Sequence, residues 1–168
     1  AVSPDFFVFL NRSAPLLYND PSLYCATAHN DLTFPINSHD SKKVIRTASI
    51  PDYGWMVRRD FAVNMTTAMQ NLTHPFDWDM FTYYFIRGNR ECIVPEVSRS
   101  HHFGNAGSHV SQFDDRMYFS IKNHNLDPNA TVQGLDILYA DVYEREIQTM
   151  LKQAHFINVS AISPCDDD

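Results

Sequence analysis

Leu23-Tyr24-Cys25-Ala26-Thr27-Ala28 is an apolar run with the length of one β-strand. Its continuity is typical of a strand that is buried on both faces of a sheet. Cys92-Ile93-Val94 begins a second apolar run, and we expect a short strand over residues 92–97. Each run carries a cysteine, and two buried cysteines on nearby strands would pair in an oxidising compartment. The third, Cys165, would then be free or bonded outside this chain.

Helical patterns lie on both sides of these runs. Ser3-Pro4-Asp5 combines a capping hydroxyl, a proline for the first helical position and an early acid, so it predicts a helix start. Pro15 would kink or end that helix. Its apolar face would consist of Phe6, Phe7, Phe9 and Leu10. A second helix is predicted near the end of the chain, with Asp141 and Glu144 as its cap. Its apolar residues recur at helical spacing: Leu135, Leu138, Val142, Ile147, Met150, Leu151 and Ala154.

The segments between these elements are more polar. Residues 29–43 and 98–116 are predicted loops, residues 44–50 a further strand, and residues 51–54 a turn. Residues 55–61 have the pattern of a helix start. Short strands that alternate with helices predict an α/β domain.

Length, composition and charge limit the possible functions. With 168 residues, 44% hydrophobic and 13% aromatic, the chain is large and apolar enough for one folded domain. Its net charge of −7 gives it no basic surface for nucleic acid. It contains no apolar run of the roughly 18 residues that a membrane helix needs.

Five of the twelve asparagines stand in Asn-x-Ser/Thr sequences with x other than proline. Such sequences accept N-linked glycans in proteins that fold in the secretory pathway, and glycan sites lie on the surface. We therefore expect a luminal protein. The five asparagines are Asn11, Asn64, Asn71, Asn129 and Asn158.

An acidic and aromatic segment is the strongest candidate for chemistry. Asp77-Trp78-Asp79 is enclosed by Pro75-Phe76 and Met80-Phe81, with no basic residue among them. Such surroundings can desolvate one carboxylate and tune it as a general base. The aromatic rings would suit a sugar, whose C–H faces stack on them. The simpler alternative is a turn with buried aromatic side chains and solvated acids.

Four histidines and a glycine-bearing loop invite other interpretations. A metal site is one interpretation of His101, His102, His109 and His124. His101 and His102 are adjacent, so in an extended segment they point to opposite sides, and a polar loop is the favoured interpretation. The segment Phe103-Gly104-Asn105-Ala106-Gly107-Ser108-His109 has two glycines and several hydrogen-bond donors. It could close over a diphosphate, although it matches no known phosphate-binding fingerprint.

Seven motifs, in order and spacing, resemble the catalytic region of the β-1,2-N-acetylglucosaminyltransferases, over nearly the whole chain. They are Ser-Pro-Asp-Phe-Phe at 3–7, Asp20-Pro-Ser-Leu-Tyr-Cys25, Ala28-His-Asn-Asp31, Gly54-Trp55, Trp78-Asp79, Arg90-Glu-Cys-Ile-Val-Pro-Glu-Val-Ser-Arg99 and Phe103-Gly104.

The resemblance implies a glycosyltransferase A-type, Rossmann-like α/β fold. It also implies inverting transfer of N-acetylglucosamine from UDP-N-acetylglucosamine to the 2-hydroxyl of a mannose. Asp79 matches the general base of the family, and Trp78 and Phe76 would shape the acceptor pocket. Cys25 and Cys92 match a family disulfide. The donor lid would include Gly107, Ser108 and Ser111, with Ser108 contacting phosphate after a one-residue shift and Ser111 as its rival.

The same resemblance places the protein in the Golgi lumen, as a type II membrane protein whose anchor lies outside these residues. In the family, an acidic triad that binds manganese directly precedes the segment matched by residues 2–6. We therefore expect no metal ligand here, and we expect residues 1–168 to form the C-terminal part of a catalytic domain. The acceptor would be a mannose-bearing glycoprotein or glycan. Residues 77–80, 90–92 and 98–104 favour the O-linked mannose branch of the family.

Two departures from the family pattern keep another function open. Phe81-Thr-Tyr-Tyr-Phe-Ile-Arg87 replaces a Trp-Met-Arg-x-Pro run, and His29 stands where the family usually has tryptophan. The alternative is a luminal glycan-binding module that descends from the transferases and no longer catalyses. A metal-dependent hydrolase built on the histidines is a more distant possibility.

Overall fold

The computed structural model describes residues 1–48, 53–72, 77–104 and 111–156. Within these residues, four strands form one mixed sheet in the order β2-β4-β1-β3. The two central strands are parallel, and each edge strand is antiparallel to its neighbour. The prediction of a mixed α/β domain is therefore confirmed. The strands are β1 (Leu23–Thr27), β2 (Val44–Thr47), β3 (Trp55–Val57) and β4 (Glu91–Pro95).

Helices surround the sheet. None that the described residues form is long and apolar enough to cross a membrane. Two of the short helices continue directly into a π-helical turn. The helical elements are α1 (Phe6–Asn19), α2 (Arg59–Gln70), α3 (Trp78–Phe81) with the turn Thr82–Ile86, α4 (Gln112–Asp114) with the turn Asp115–Phe119, a 3₁₀ turn (Asp136–Leu138) and α5 (Ala140–Gln153).

Strand β1 is the centre of the core. All five of its residues are buried, as its continuous apolar sequence predicts. On one side of the sheet, Phe9 and Leu17 of α1 pack with Ala26 of β1 and Ile93 of β4. The helix α1 continues past Pro15, although proline removes one helical hydrogen bond. The burial of its apolar face in this packing stabilises the helix there.

The other side of the sheet is closed by a disulfide. Cys25 of β1 bonds Cys92 of β4, so the expected pairing is confirmed. A bulge in β1, between Leu23 and Cys25, lets Tyr24 join Cys25 in the same cluster. Phe61 of α2 covers the bond. This contact fixes α2 over the sheet.

We predict that replacing both cysteines, Cys25→Ala with Cys92→Ala, lowers the free energy of unfolding by about 2–4 kcal/mol. The two residues are 67 apart in sequence, so the bond restricts a long loop in the unfolded chain. Urea denaturation of the full-length protein measures the loss. Peptide mapping without reductant checks the bond itself, and alkylation of both thiols would contradict it.

The start of α1 differs from the prediction. The helix begins at Phe6, whose N–H donates to the Ser3 carbonyl, and the Phe9 N–H donates to the Asp5 carbonyl. The Ser3 hydroxyl, predicted to cap the helix, makes no hydrogen bond among the described residues. The Asp5 side chain is turned into the core, where it binds Arg99, so it does not cap the helix. Phe7, expected on the apolar face, is 76% exposed.

Residues 55–57 form a strand rather than the beginning of a helix, so that prediction is wrong. Trp55 pairs with Thr27 and Val57 with Cys25, which makes β3 an edge strand. Gly54 precedes it with a φ of +91°, a conformation that favours glycine. A Cβ atom there would also lie 2.8 Å from Cε2 of Phe6. Gly54 thus allows the chain to enter the sheet against α1.

A buried ion pair joins the start of the chain to the segment after β4. The Arg99 side chain is fully buried and donates from Nε to Oδ2 of Asp5 at 2.9 Å. Asn125 donates to the other oxygen, Oδ1, at 2.7 Å. Further Arg99 donors reach the carbonyls of Val97 and Ser41. Buried charges persist only when they are paired and hydrogen-bonded, so this network holds four distant segments together.

A second buried pair positions α5. Arg46 NH1 donates to Asp20 Oδ2 at 3.1 Å, and the same oxygen accepts the Ala140 N–H at 2.8 Å. Burial raises the pKa of Asp20, but these contacts and hydrogen bonds from Ser22 hold it below its ordinary value. The predicted cap of this helix is wrong, because Asp20 caps it from a distance. Asp141 instead pairs with Arg145.

Glu96 anchors the polar loop of residues 38–43. Its Oε1 accepts the N–H groups of His39 and Asp40, and its Oε2 pairs with Lys43 at 2.8 Å. Burial alone would raise its pKa, but these hydrogen bonds lower the pKa of Glu96 to about 2.

We predict that Glu96 contributes to the stability of the protein above its unfolded pKa, and that this contribution is lost as the pH falls. The reason is that a carboxylate with a lowered pKa in the fold resists protonation until the pH approaches 2. Urea unfolding from about pH 6 to pH 2 should show a steeper decline for the wild type than for Glu96→Gln, by on the order of 2 kcal/mol. Parallel curves would contradict the assignment.

Candidate active site

The carboxyl ends of β1 and β4 lie at the same edge of the sheet because these strands are parallel. In α/β sheets, ligands bind beyond the carboxyl ends of such strands. Two segments with several polar residues follow here, His29 to Asp31 after β1 and Ser98 to Gly104 after β4. Ala28 connects these segments through its backbone. Its N–H donates to the Gly54 carbonyl, and its carbonyl accepts the Arg99 N–H.

A groove of about 360 Å³ opens at this edge. Its walls are the residues before β3, the segment after β4 and the first two residues, which pair with that segment. The groove is lined by Ala1, Val2, Tyr53, Gly54, Ser100, His101, His102, Phe103 and Gly104.

Aromatic rings hold the side of this groove in place. Tyr53 lies 4.9 Å from His29 and 5.1 Å from His102, measured between ring centroids. Phe119 lies 4.3 Å from His102. His29 is therefore a buried part of an aromatic cluster.

The histidines do not form a metal site within the described residues, where no group of three metal-ligating side chains occurs. His101 and His124 stack at 4.7 Å instead. Burial, and then the neighbouring His124, lower the pKa of His101. His109 lies outside the described residues. The polar-loop interpretation therefore suits the three described histidines.

Asp31 is held by three side chains at the end of β1. Its Oδ1 lies 3.2 Å from Nε2 of His29, 3.0 Å from the Tyr118 hydroxyl and 3.1 Å from Nζ of Lys122. The hydrogen bond from His29, followed by the charge of Lys122, outweighs burial and holds the pKa of Asp31 well below its ordinary value. Asp31 is thus a fixed anion at this edge.

Asp79 lies next to a pair of stacked tryptophans. Trp78 stacks on Trp55 of the edge strand at 5.1 Å, with an angle of 12° between the rings. Trp78 remains 39% exposed, so this pair presents an aromatic surface. Trp55 directly follows Gly54, which lines the groove. This arrangement suits a sugar ring.

The two acids of this segment have different surroundings. Asp77 is exposed and precedes α3 without a capping hydrogen bond from its side chain. Asp79 is half-buried, and its Oδ1 accepts the Met80 N–H at 2.8 Å. That bond orients the carboxylate and leaves Oδ2 without a protein partner among the described residues. One oxygen of the Asp79 carboxylate is therefore available to a ligand.

The predicted donor residues fall mostly outside the described part of the chain. This applies to Gly107 and Ser108, and also to Phe76 on the acceptor side. Ser111 is described, and its hydroxyl and N–H both bond the Asp114 carboxylate in a capping box. Ser111 thus acts as the N-cap of α4.

Two exposed aromatic residues follow Asp79 where the chain departs from the family pattern. Tyr84 is 61% exposed and Phe85 64% exposed, in the π-helical turn after α3. Arg87 lies over the Tyr83 ring at 4.2 Å. The substituted run thus extends the aromatic surface near Asp79.

Four of the five predicted glycan sites can be located. The exposed asparagines are Asn11, Asn64, Asn71 and Asn129. Asn158 lies outside the described residues. Exposure of the four is compatible with the luminal interpretation.

Comparison with known proteins assigns the chain to a family. The GNT-I family model matches residues 1–167. A curated relative, the alpha-1,3-mannosyl-glycoprotein 2-beta-N-acetylglucosaminyltransferase of Arabidopsis thaliana, is 26% identical over 162 residues, or 95% of this chain. The chain spans 35% of that relative's length. This chain, a mixed α/β domain, therefore belongs to the GNT-I family. Its membership confirms the family resemblance of the motifs.

Sequence reasoning missed the structural roles of several motif residues. Asp5 and Arg99 lie in two of the seven motifs, yet they bind each other in the core. Asp31 lies in a third motif. Its position after a buried strand was the signal that could have identified it as a residue of the site. Gln112–Asp114 and the first two residues of the turn after it fall in the predicted loop of residues 98–116, although Ser111-x-x-Asp114 has the spacing of a capping box.

Proposed function

We propose that this chain is the C-terminal part of the catalytic domain of a glycosyltransferase with the A-type fold. The enzyme would transfer N-acetylglucosamine from UDP-N-acetylglucosamine to the 2-hydroxyl of mannose. Membership of the GNT-I family supports the reaction. The observation that carries the assignment to this site is the oriented Asp79 carboxylate beside the Trp55–Trp78 pair.

Asp79 would act as the general base. Its open oxygen, Oδ2, takes the proton of the mannose 2-hydroxyl. At the same time, the oxygen of that hydroxyl forms a bond to the anomeric carbon of the donor. The bond from the anomeric carbon to the diphosphate breaks at the same time, and UDP leaves with the electron pair. Attack on the face opposite UDP inverts the anomeric centre. Trp78, with Phe76, would hold the mannose ring.

The donor would occupy the groove at the sheet edge. Phe103 and Gly104 line it and lead into the segment that contains Gly107 and Ser108. The described residues do not fit a manganese ion, since they contain no cluster of three ligands. We assign no step to the metal, and we propose that its ligands precede Ala1.

The acceptor would be a mannose-bearing glycoprotein in the Golgi lumen. We favour O-linked mannose, on the motifs at residues 77–80, 90–92 and 98–104. The curated relative is named for an alpha-1,3-mannosyl-glycoprotein, so a mannose-bearing N-glycan is the second acceptor to test. A membrane anchor would lie outside this chain.

A transfer assay on the full-length protein tests this proposal. UDP-N-acetylglucosamine and manganese are supplied with an O-mannosyl peptide or with a high-mannose N-glycan. We expect transfer to the O-mannosyl peptide, and transfer to the N-glycan alone would move the protein to the other branch of the family.

The exposed Tyr84 and Phe85 would also suit a glycan-binding module without catalysis. Donor binding separates the two functions. Calorimetry with UDP-N-acetylglucosamine and manganese should show binding by a transferase. A protein that binds mannosides but neither binds nor transfers the donor would be the module.

A further inference from the structure

A small cavity of about 100 Å³ lies beside Asp31 and has no part in the mechanism above. We call it the Asp31 cavity. Three neighbouring strands contribute Thr27, Ile45, Thr47 and Val94 to its lining, and the loop after β1 contributes Asp31 and Leu32. Apolar walls thus meet one carboxylate and two hydroxyl-bearing side chains.

The Asp31 carboxylate has one engaged oxygen and one open oxygen. The hydrogen bonds from His29, Tyr118 and Lys122 all reach Oδ1. Among the described residues, no hydrogen bond reaches Oδ2, and the side chain is 40% exposed. Oδ2 is therefore available to a ligand in the cavity.

The carboxylate is rigidly placed and stays ionised. The side chains of His29 and Lys122 are each only 3% exposed, so they fix Oδ1 from the protein side. The same contacts keep the pKa of Asp31 low, so Asp31 is a poor proton acceptor at luminal pH. Its chemistry is to accept strong hydrogen bonds from hydroxyl groups.

The Asp31 cavity is close to the proposed reaction centre. Thr27, which lines the cavity, is the register partner of Trp55 on the next strand. Adjacent strands are about 4.8 Å apart, and Trp55 stacks on Trp78 beside Asp79. The cavity and the Trp55–Trp78 pair thus involve neighbouring strands of the sheet.

We propose that the Asp31 cavity is a subsite for the acceptor glycan, in which Asp31 Oδ2 accepts a hydrogen bond from a hexose hydroxyl other than the reacting one. The apolar side chains of Leu32, Ile45 and Val94 face the C–H groups of the same sugar. This assignment rests on the proposed function. It makes Asp31 a determinant of acceptor specificity, distinct from the base Asp79.

The variant Asp31→Asn in the full-length enzyme tests the subsite. It keeps the shape of the side chain and removes its charge. The KM for the acceptor should rise about tenfold or more, since a hydrogen bond to a charged group is lost. The KM for UDP-N-acetylglucosamine should stay within about twofold. Asp141→Asn, which alters an exposed carboxylate on α5, is the matched control and should leave both values unchanged.

Asp31 also neutralises Lys122, so a second variant guards against a loss of stability. Leu32 is 65% exposed, and Leu32→Ala should leave the melting temperature unchanged while raising the acceptor KM. Comparing an O-mannosyl peptide with a high-mannose N-glycan shows which acceptor reaches the cavity. An unchanged acceptor KM in both variants overturns the proposal, as does an equal rise in the two KM values.

Failure of the subsite and failure of the transferase are separable. If the wild type transfers and Asp31→Asn shows no acceptor effect, only the subsite is wrong. If the wild type does not transfer, saturation-transfer NMR with methyl α-D-mannopyranoside decides the subsite. Signal that is present in the wild type and lost in folded Asp31→Asn supports it, and equal signal or none in the wild type overturns it.

Discussion

Asp79→Asn in the full-length enzyme should lower kcat about a thousandfold, within the range that a general base supplies. The 2-hydroxyl of mannose is a weak nucleophile until its proton is removed, and an amide cannot accept that proton. The melting temperature should not change, because the asparagine carbonyl can still accept the Met80 N–H that binds Oδ1 of Asp79. Progress curves with UDP-N-acetylglucosamine and the preferred acceptor measure the effect.

Asp77→Asn provides a matched control two residues away. Asp77 is exposed and its side chain makes no capping hydrogen bond, so kcat should stay within about twofold of the wild type. Equal losses in both variants would point to a general effect of charge on this segment. Turnover of Asp79→Asn at the wild-type rate would remove Asp79 from the mechanism.

Arg99→Met should lower the free energy of unfolding by about 3–5 kcal/mol, the usual result of breaking a buried ion pair from one side. Methionine fills much of the arginine volume, but it leaves the Asp5 carboxyl group without its Arg99 partner in a core position that is 1% exposed. The Val97 and Ser41 carbonyls also lose their donor. Urea denaturation of the full-length protein measures the loss.

Arg145→Met is the control for the same substitution at an exposed pair. Arg145 contacts Asp141 one turn earlier on α5, with side chains 68% and 74% exposed. Exposed pairs contribute about 0–1 kcal/mol, so this variant should be close to the wild type. If Arg99→Met were equally mild, the buried network would not hold the start of the chain to the segment after β4.

The sequence predicted the elements with a strong local pattern. The apolar runs around Cys25 and Cys92 became the two central strands, and the helical spacing after Leu135 became α5. The burial of these strands and the period of this helix can be recognised from consecutive residues. The family resemblance supplied the disulfide partners, which the structure brings together.

The errors have physical causes. Trp55–Val57 is a three-residue strand, too short for a periodic pattern, and its pairing with β1 decides its conformation. Asp5 was predicted as an acid in the first turn of α1, but it binds Arg99, 94 residues away. Asp20 likewise caps α5 from a separation of 120 residues. Such long-range pairs leave no local signal.

The candidate site likewise has features that local sequence indicates and features that depend on distant segments. The acidic and aromatic residues around Asp79 are adjacent in sequence, so this segment could be singled out, while the family resemblance indicated Asp79 itself as the candidate base. The aromatic cluster of His29, Tyr53 and His102 could not, since it joins three segments. The open oxygen of Asp31 depends on contacts with His29, Tyr118 and Lys122, of which two come from a distant segment.

The linkage in the transfer product tests the central claim most directly. Full-length protein is incubated with UDP-N-acetylglucosamine, manganese and a mannose-bearing acceptor, and the product is characterised by NMR. The account predicts one β-linked N-acetylglucosamine on the mannose 2-hydroxyl, formed by the wild type and by Asp77→Asn but not by Asp79→Asn. An α linkage, another hydroxyl, or full activity without Asp79 would contradict it.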